Sequence, residues 1–188
     1  MTTLLFNENN PKQLLQAAEL IKNGEVVGMP TETVYGLAAD ACNPDAVARI
    51  FKAKGRPSDN PLIVHLADFS DAVNYTSYIP QLAYKIADKF SPGPITMIFP
   101  KNDRIPYITS GGLDTVGIRI PAHATARKLI ELSGCPIAAP SANTSGYPSP
   151  TEASHVMLDM NGRISAVIDG GACQCGVEST VISFDDDN

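Results

Sequence analysis

Short apolar runs separated by helix-patterned stretches constrain this chain more than any other feature. The runs are Glu25–Pro30, Pro61–Leu66, Ile95–Pro100, Thr115–Pro121, Pro136–Pro140, Ser165–Asp169 and Ser179–Phe184. Most are rich in Val, Ile or Phe and too short for a helix, which suits a pleated, half-buried surface. Asn10-Pro11 and Asn43-Pro44 each join an N-cap residue to a proline in the first helical turn. The helical spacing that follows runs to Gly24 and to Gly55. Further helices are expected over Pro80–Phe90, over Ala124–Ser133 and from about Thr151. Strands alternating with helices make an α/β fold, a sheet with helices flanking it. The alternation alone leaves open whether the sheet is parallel or mixed. In such sheets ligands lie in the loops at strand ends.

The length of 188 residues fits one domain, expected over residues 1–188. No run approaches the roughly 18 apolar residues of a membrane span. The start, MTTLLFNENNPKQ, lacks a basic segment, an apolar core and a cleavage site, so the expected location is the cytoplasm, with no membrane contact. The net charge of −6 argues against a large electrostatic nucleic-acid surface. The acidic tail Asp185–Asp187 reads as a solvated end. Cys173 and Cys175 form a lone C-x-C pair beside Cys42 and Cys135, too little for a structural zinc site, so no metal site is expected. The P-loop, G-x-G-x-x-G, H-E-x-x-H and G-x-S-x-G patterns are all absent.

Polar, glycine-punctuated loops follow or precede the apolar runs. Pro30–Leu37 brings Thr31, Glu32, Thr33 and Tyr35 to one strand end, to orient a ligand or to cap backbone groups. In Lys52–Pro61 the cations at Lys52 and Lys54 suit a helix C-terminus. Arg56 lies beyond it on a stiff loop, where its fork suits phosphate oxygens. Asn60 is placed to grip a base or ribose, and His65 sits alone in an apolar strand, a place usually taken by a satisfied core histidine. Ser110–Pro121 holds two adjacent glycines and Arg119, a guanidinium in an apolar strand. Buried, it needs an internal carboxylate or a bound anion, and the anion is the expected partner. Pro140–Thr151 leads into a helix N-terminus rich in hydroxyls, a suitable phosphate site. Asp169–Gly171 and Gly176–Val181 form a glycine loop entering a strand.

Taken in order, PTETVYGL, KxKGRPxxNPLIVH, SPGPxT, RxP, PSANxSGxPSPT and DGGxxxxGVESTV resemble the YrdC-like threonylcarbamoyl-AMP synthases, from about Leu14 to Ile182. The resemblance implies a twisted, mixed α/β sheet with flanking helices and a central, positively charged cavity. It implies that L-threonine, bicarbonate and ATP, the last with Mg²⁺, give threonylcarbamoyl-AMP and pyrophosphate. A partner complex would then transfer the threonylcarbamoyl group to the adenosine next to the anticodon of certain tRNAs. The family's catalytic Lys-x-Arg and Ser-x-Asn set matches Lys54, Arg56, Ser141 and Asn143. By the same resemblance Thr33, His65, Arg119, Ser141 and Ser179 would contact L-threonine. Lys54, Arg56, Asn60, Thr115, Asn143 and Thr151 would contact ATP. The resemblance also implies a later Arg-Pro-Gly segment whose arginine touches ATP, and the sequence ends at Asn188 without it. The alternative is an RNA-binding domain of the same fold without synthase activity; the acidic balance points to weak tRNA binding at most.

Overall fold

Asparagine caps set the first two helices. Asn10 accepts hydrogen bonds from the amides of Lys12 and Gln13, and helix α1 (Pro11–Lys22) follows. Asn43 caps α2 (Pro44–Lys54) in the same way. That helix ends at Gly55, whose φ of 63° is left-handed and suits a residue without Cβ. The computed structural model describes residues 2–184, and the acidic run Asp185–Asp187 lies outside the described residues.

The other elements, in chain order, are β1 (Leu4–Asn7), β2 (Val27–Met29), β3 (Gly36–Asp40), β4 (Ile63–His65), α3 (Gln81–Phe90), β5 (Ile95–Pro100), β6 (Thr115–Arg119), α4 (Ala124–Ser133), β7 (Ile137–Ala138), α5 (Ala153–Met160), β8 (Ala166–Asp169) and β9 (Thr180–Ile182). They form a twisted sheet in the order β1-β8-β2-β3-β7-β4-β6-β5-β9. The pairs β1/β8, β2/β8, β4/β6 and β5/β9 are parallel. The pairs β2/β3, β3/β7, β4/β7 and β5/β6 are antiparallel, so the sheet is mixed.

Because side chains alternate across a strand, the sheet has two distinct faces. The first presents Leu37, Ala39, Val64, Val116, Ile118 and Phe99 to α2, α3 and α5 in one apolar core. The second presents Val27, Met29, Ala38, Ile137, Ala166 and Ile168 to Ala17, Ala18 and Ile21 of α1 and to Ala126 and Leu129 of α4. Truncating a side chain as buried as Ile21 would cost about 2–5 kcal/mol through lost transfer energy and the cavity left behind. Among the described residues this second core contains none from β4, β5, β6 or β9. Helices α1 and α4 therefore cover half of that face and leave the other half without a helix over it, although His65, Thr96 and Arg119 on it are buried.

Candidate functional site

The helix-free half of the sheet carries the polar strand residues. On β6, Thr115, Gly117 and Arg119 share one face, while Val116 and Ile118 point into the first core. Register places His65 beside Arg119 and Ile63 beside Gly117. On β5, Ile98 lies opposite Gly117, and Thr96 shares its face. Val181 of β9 pairs with Thr96 and is 54% exposed. Gly117 leaves a shallow floor between them: a Cβ there would meet Thr96 Cγ2 at 3.0 Å.

His65 and Arg119 close their strands at one end of this floor, and Thr115 opens β6 at the other. Four residue steps along β6 take Thr115 to Arg119, a span of roughly 13 Å at the usual rise. At the Thr115 end, the Ile63 carbonyl accepts from the amide of Ala139, which leads into the Ser141–Asn143 loop. Gly111 packs on the backbone of Asn60 and Pro61 so closely that a Cβ would lie 2.7 Å from Pro61 N.

At the Arg119 end the buried guanidinium meets an internal carboxylate, one of the two partners the sequence allowed: Arg119 Nη2 donates to Glu32 Oε1 at 2.6 Å, and both side chains are about 95% buried. Glu32 reaches Arg119 because Pro30–Tyr35 turns on Thr31, whose hydroxyl donates to the Val34 carbonyl and accepts from the amides of Thr33 and Val34. Arg119 Nε also donates to the Gly93 carbonyl at 3.4 Å. Such a pair gains Coulomb energy but loses the hydration of two ions, so its net contribution to stability is small. Two neighbouring atoms are buried without a hydrogen-bond partner: Glu32 Oε2 and His65 Nδ1. His65 is thus buried but not satisfied. Burial first, and the Arg119 charge second, hold its pKa down at about 3, so the ring is neutral at pH 7. Thr33 is 1% exposed, and Ser179 Oγ lies 2.7 Å from Thr96 Oγ1. The glycine loop braces this end: Cys175 N donates to Glu32 O at 2.8 Å and Gly176 N to Thr33 O at 3.0 Å.

Lys54 organises the opposite end. Its ammonium is buried, donates to the carbonyls of Ser141 and Asn143, and lies 3.4 Å from Asn143 Oδ1. These three acceptors match its three donors. Asn143 Nδ2 in turn donates to Thr144 O and Tyr147 O. Burial, then the positive charge of Arg56, push the Lys54 pKa down to about 8. Arg56 stands beyond Gly55, half-buried, lining a cavity of about 490 Å³ with Pro57 and Ser58. Thr151 and Ser149 line another of about 400 Å³, and the Thr151 carbonyl accepts from Cys173 N. Asn60 is exposed and Thr115 half-buried.

A larger cavity of about 640 Å³ is lined by Arg49, Lys52, Lys54 and Arg163 but takes in neither Arg119 nor His65. Its cations have structural work: Arg163 donates to Ala53 O in the last turn of α2, and Arg49 to Gly24 O. The structure therefore gathers Lys54, Ser141 and Asn143 in one node, and Thr33, His65, Arg119 and Ser179 around the Glu32 pair, with the helix-free sheet floor between. Among the described residues no group of three or more His, Cys, Asp or Glu side chains is arranged to hold a metal ion. Sequence reasoning placed Glu32 in the candidate Pro30–Leu37 loop but not on Arg119, and it missed Thr96, which carried no signal, since a threonine in a strand is ordinary.

The sequence model of the Sua5/YciO/YrdC family, described as "Telomere recombination", matches residues 19–188. A threonylcarbamoyl-AMP synthase of Pyrococcus abyssi is 55% identical over 168 residues, 89% of this chain and 49% of that protein. A threonylcarbamoyl-AMP synthase of Bacillus subtilis is 54% identical over 179 residues, 95% of this chain and 52% of that protein. The chain thus spans about half the length of these relatives. The crystal structure of P. abyssi Sua5 complexed with L-threonine superposes with a TM-score of 0.94 at 51% identity, over 98% of this chain and 54% of that one. The chain belongs to the Sua5/YciO/YrdC family.

Proposed function

We propose that this chain is an L-threonylcarbamoyladenylate synthase, a nucleotidyltransferase that makes threonylcarbamoyl-AMP and pyrophosphate from L-threonine, bicarbonate and ATP. The observation that carries the reading is a polar, helix-free sheet floor, with a buried cation and unpartnered polar atoms at one end and the Lys54 node at the other. The names of the relatives and the threonine-bound neighbour support it. Residues 1–188 would work as one catalytic domain, and the hollow over the floor would be the positively charged cavity expected from the sequence.

Threonine would lie at the Arg119 end, its carboxylate on that guanidinium, with Thr33, His65 and Ser179 about its remaining groups; Ser141, which stands in the Lys54 node, would meet it only on the side that faces ATP. ATP would lie toward Arg56, Asn60, Thr115, Asn143 and Thr151, bringing Mg²⁺ on its phosphates. The amine would attack carbon dioxide derived from bicarbonate; an N–C bond forms, and the condensation releases one water. A carbamate oxygen would then attack the α-phosphorus. The new O–P bond replaces the bond to pyrophosphate, which leaves with its electron pair. Such a transfer needs alignment and charge neutralisation more than covalent help. Arg56 would supply charge directly. Lys54, whose donors are directed at Ser141 and Asn143, would fix the loop and add its field.

The product would pass to a transfer complex that modifies the tRNA adenosine next to the anticodon. The net charge of −6 supports at most weak direct binding of tRNA. We place the activity in the cytoplasm; among the described residues no helix is long and apolar enough to cross a membrane. The test is incubation with threonine, bicarbonate, Mg²⁺ and ATP, each omitted in turn, with the adenylate detected by mass spectrometry. The product should need all components, and Arg56→Ala should suppress it. Wild-type product formation by Arg56→Ala would refute the phosphate role of that residue.

A further inference from the structure

We propose that Glu32 is a specificity residue: its Oε2 oxygen takes the amino group of the amino acid whose carboxylate docks on Arg119. The inference rests on the threonine reading above and adds a residue that the sequence left unassigned.

Three observations carry it. First, Glu32 is 5% exposed, and Oε1 alone is engaged, on Arg119 Nη2 at 2.6 Å. Its other oxygen, Oε2, is buried with no donor. A buried carboxylate oxygen without a donor is costly and calls for one. Second, His65 Nδ1, the other unpartnered buried atom here, belongs to the residue registered beside Arg119. Ser91 Oγ and His123 Nδ1 also lack partners among the described residues, so what marks this end is two such atoms on residues that flank Arg119. Third, the charges match. The pair offers one cation and one anion in contact, out of water. An α-amino acid offers a carboxylate and an ammonium on adjacent bonds of one carbon. Laid against the pair, each of its charges meets its opposite, and no net charge enters the buried site. A ligand with a carboxylate alone would satisfy Arg119 but leave Oε2 bare and bring an uncompensated negative charge beside Glu32.

The backbone supports a fixed Glu32. Its carbonyl is held by Cys175 N at 2.8 Å, and the adjoining Thr33 carbonyl by Gly176 N at 3.0 Å. Thr31 closes the turn through Val34 O at 2.6 Å. The carboxylate is presented by a braced loop, so little ordering is left for the ligand to bring about.

The experiment compares three ligands by calorimetric titration against the wild-type chain, Glu32→Gln and Glu32→Asp. The ligands are L-threonine, 2-aminobutanoate (no hydroxyl) and 3-hydroxybutanoate (no amine). In Glu32→Gln the amide oxygen can still accept from Arg119, which turns the NH₂ group toward the ligand. Threonine and 2-aminobutanoate should then weaken by roughly ten- to hundred-fold, the loss of one charge-assisted hydrogen bond in a buried site. 3-Hydroxybutanoate should bind as well as before or better, because Arg119 gains a neutral neighbour. The KM for threonine should rise while that for ATP stays constant. Equal weakening of all three ligands would mean that Glu32 only holds Arg119, and would overturn the proposal. So would a 2-aminobutanoate affinity insensitive to the substitution, which would give Glu32 the hydroxyl instead. Glu32→Asp, which keeps the charge but draws it back, should show the same ligand pattern at smaller size. If neither variant folds, the wild type still decides: threonine must bind more tightly than 3-hydroxybutanoate, and equal affinities overturn the assignment. A wild-type chain that binds none of the three contradicts the threonine reading itself, a distinct failure.

Discussion

Replacing Lys54 by Met tests the node at one end of the floor. The methionine keeps most of the stem and removes the ammonium. Two good charge-assisted hydrogen bonds disappear, to the carbonyls of Ser141 and Asn143, together with the longer contact to Asn143 Oδ1. At roughly 1.5–3 kcal/mol each, the two good bonds are worth about 3–6 kcal/mol. Against this stands the cost of a buried charge. The pKa falls from 10.5 to about 8, with burial the largest cause, the Arg56 charge next and Asp159 opposing. At about 1.4 kcal/mol per pH unit that is roughly 3 kcal/mol against the charged form. The variant should therefore lose only about 0–3 kcal/mol at pH 7. The sign with pH is firmer. Between pH 8 and 10.5 the unfolded chain keeps the lysine proton and the folded chain has shed it, so this group's contribution to stability rises with pH across that window. Cys42, Cys135 and Cys173, each raised to about 11 by burial, act in the opposite direction, but they are common to both proteins and cancel in the difference. Urea unfolding at pH 7, 8, 9 and 10 should show wild type gaining on Lys54→Met by up to about 3 kcal/mol. Over the same range the KM of the wild type for ATP should rise as the cation is lost. A stability difference that stays flat or shrinks above pH 8 would refute the buried, charge-strained lysine.

The floor, the Asn60 loop and the buried histidine give three further expectations. Gly117→Val places branched carbon where a single Cβ already meets Thr96 Cγ2 at 3.0 Å, so substrate KM should rise at least ten-fold, with a stability loss of about 1–3 kcal/mol by unfolding. Gly111→Ala, at φ 63° with Pro61 N 2.7 Å from the new Cβ, should destabilise by about 2–4 kcal/mol and weaken ATP binding through Asn60 more than threonine binding. His65 has a folded pKa of about 3 against 6.5, so its contribution is lost as pH falls below 6.5 toward 3, by about 1.4 kcal/mol per pH unit. Acid unfolding of His65→Gln should lack that part of the slope.

What the sequence could convey followed from how local the physics was. The helices from Pro11 and Pro44 were legible because the Asn caps that start them lie within three residues of the amides they hold. Helix α5 begins at Ala153 rather than Thr151, since Glu152 occupies the cap. Strand β1 escaped notice because only Phe6 of its four residues is buried; its pairing with β8 is made across the whole chain. Strand β3, Gly36–Asp40, was hidden by alanines that carry little strand preference and by its place directly behind a polar loop. The mixed topology could not be read from the alternation, because direction is set by partners far apart in sequence; the family resemblance implied it, and the sheet bears that out. At the site, motif residues named Arg119 and His65, but the Glu32 partner depends on the Thr31 turn swinging a carboxylate over β6, a tertiary fact.

The account places threonine and triphosphate at opposite ends of one helix-free half of a sheet face. A crystal structure with L-threonine and a non-hydrolysable ATP analogue tests this most directly. The account predicts the amino acid against Arg119 and Glu32, and the phosphates near Arg56 and the Ser141–Asn143 loop. Phosphates seated instead among Arg49, Lys52 and Arg163, with the floor around Gly117 bare, would contradict it.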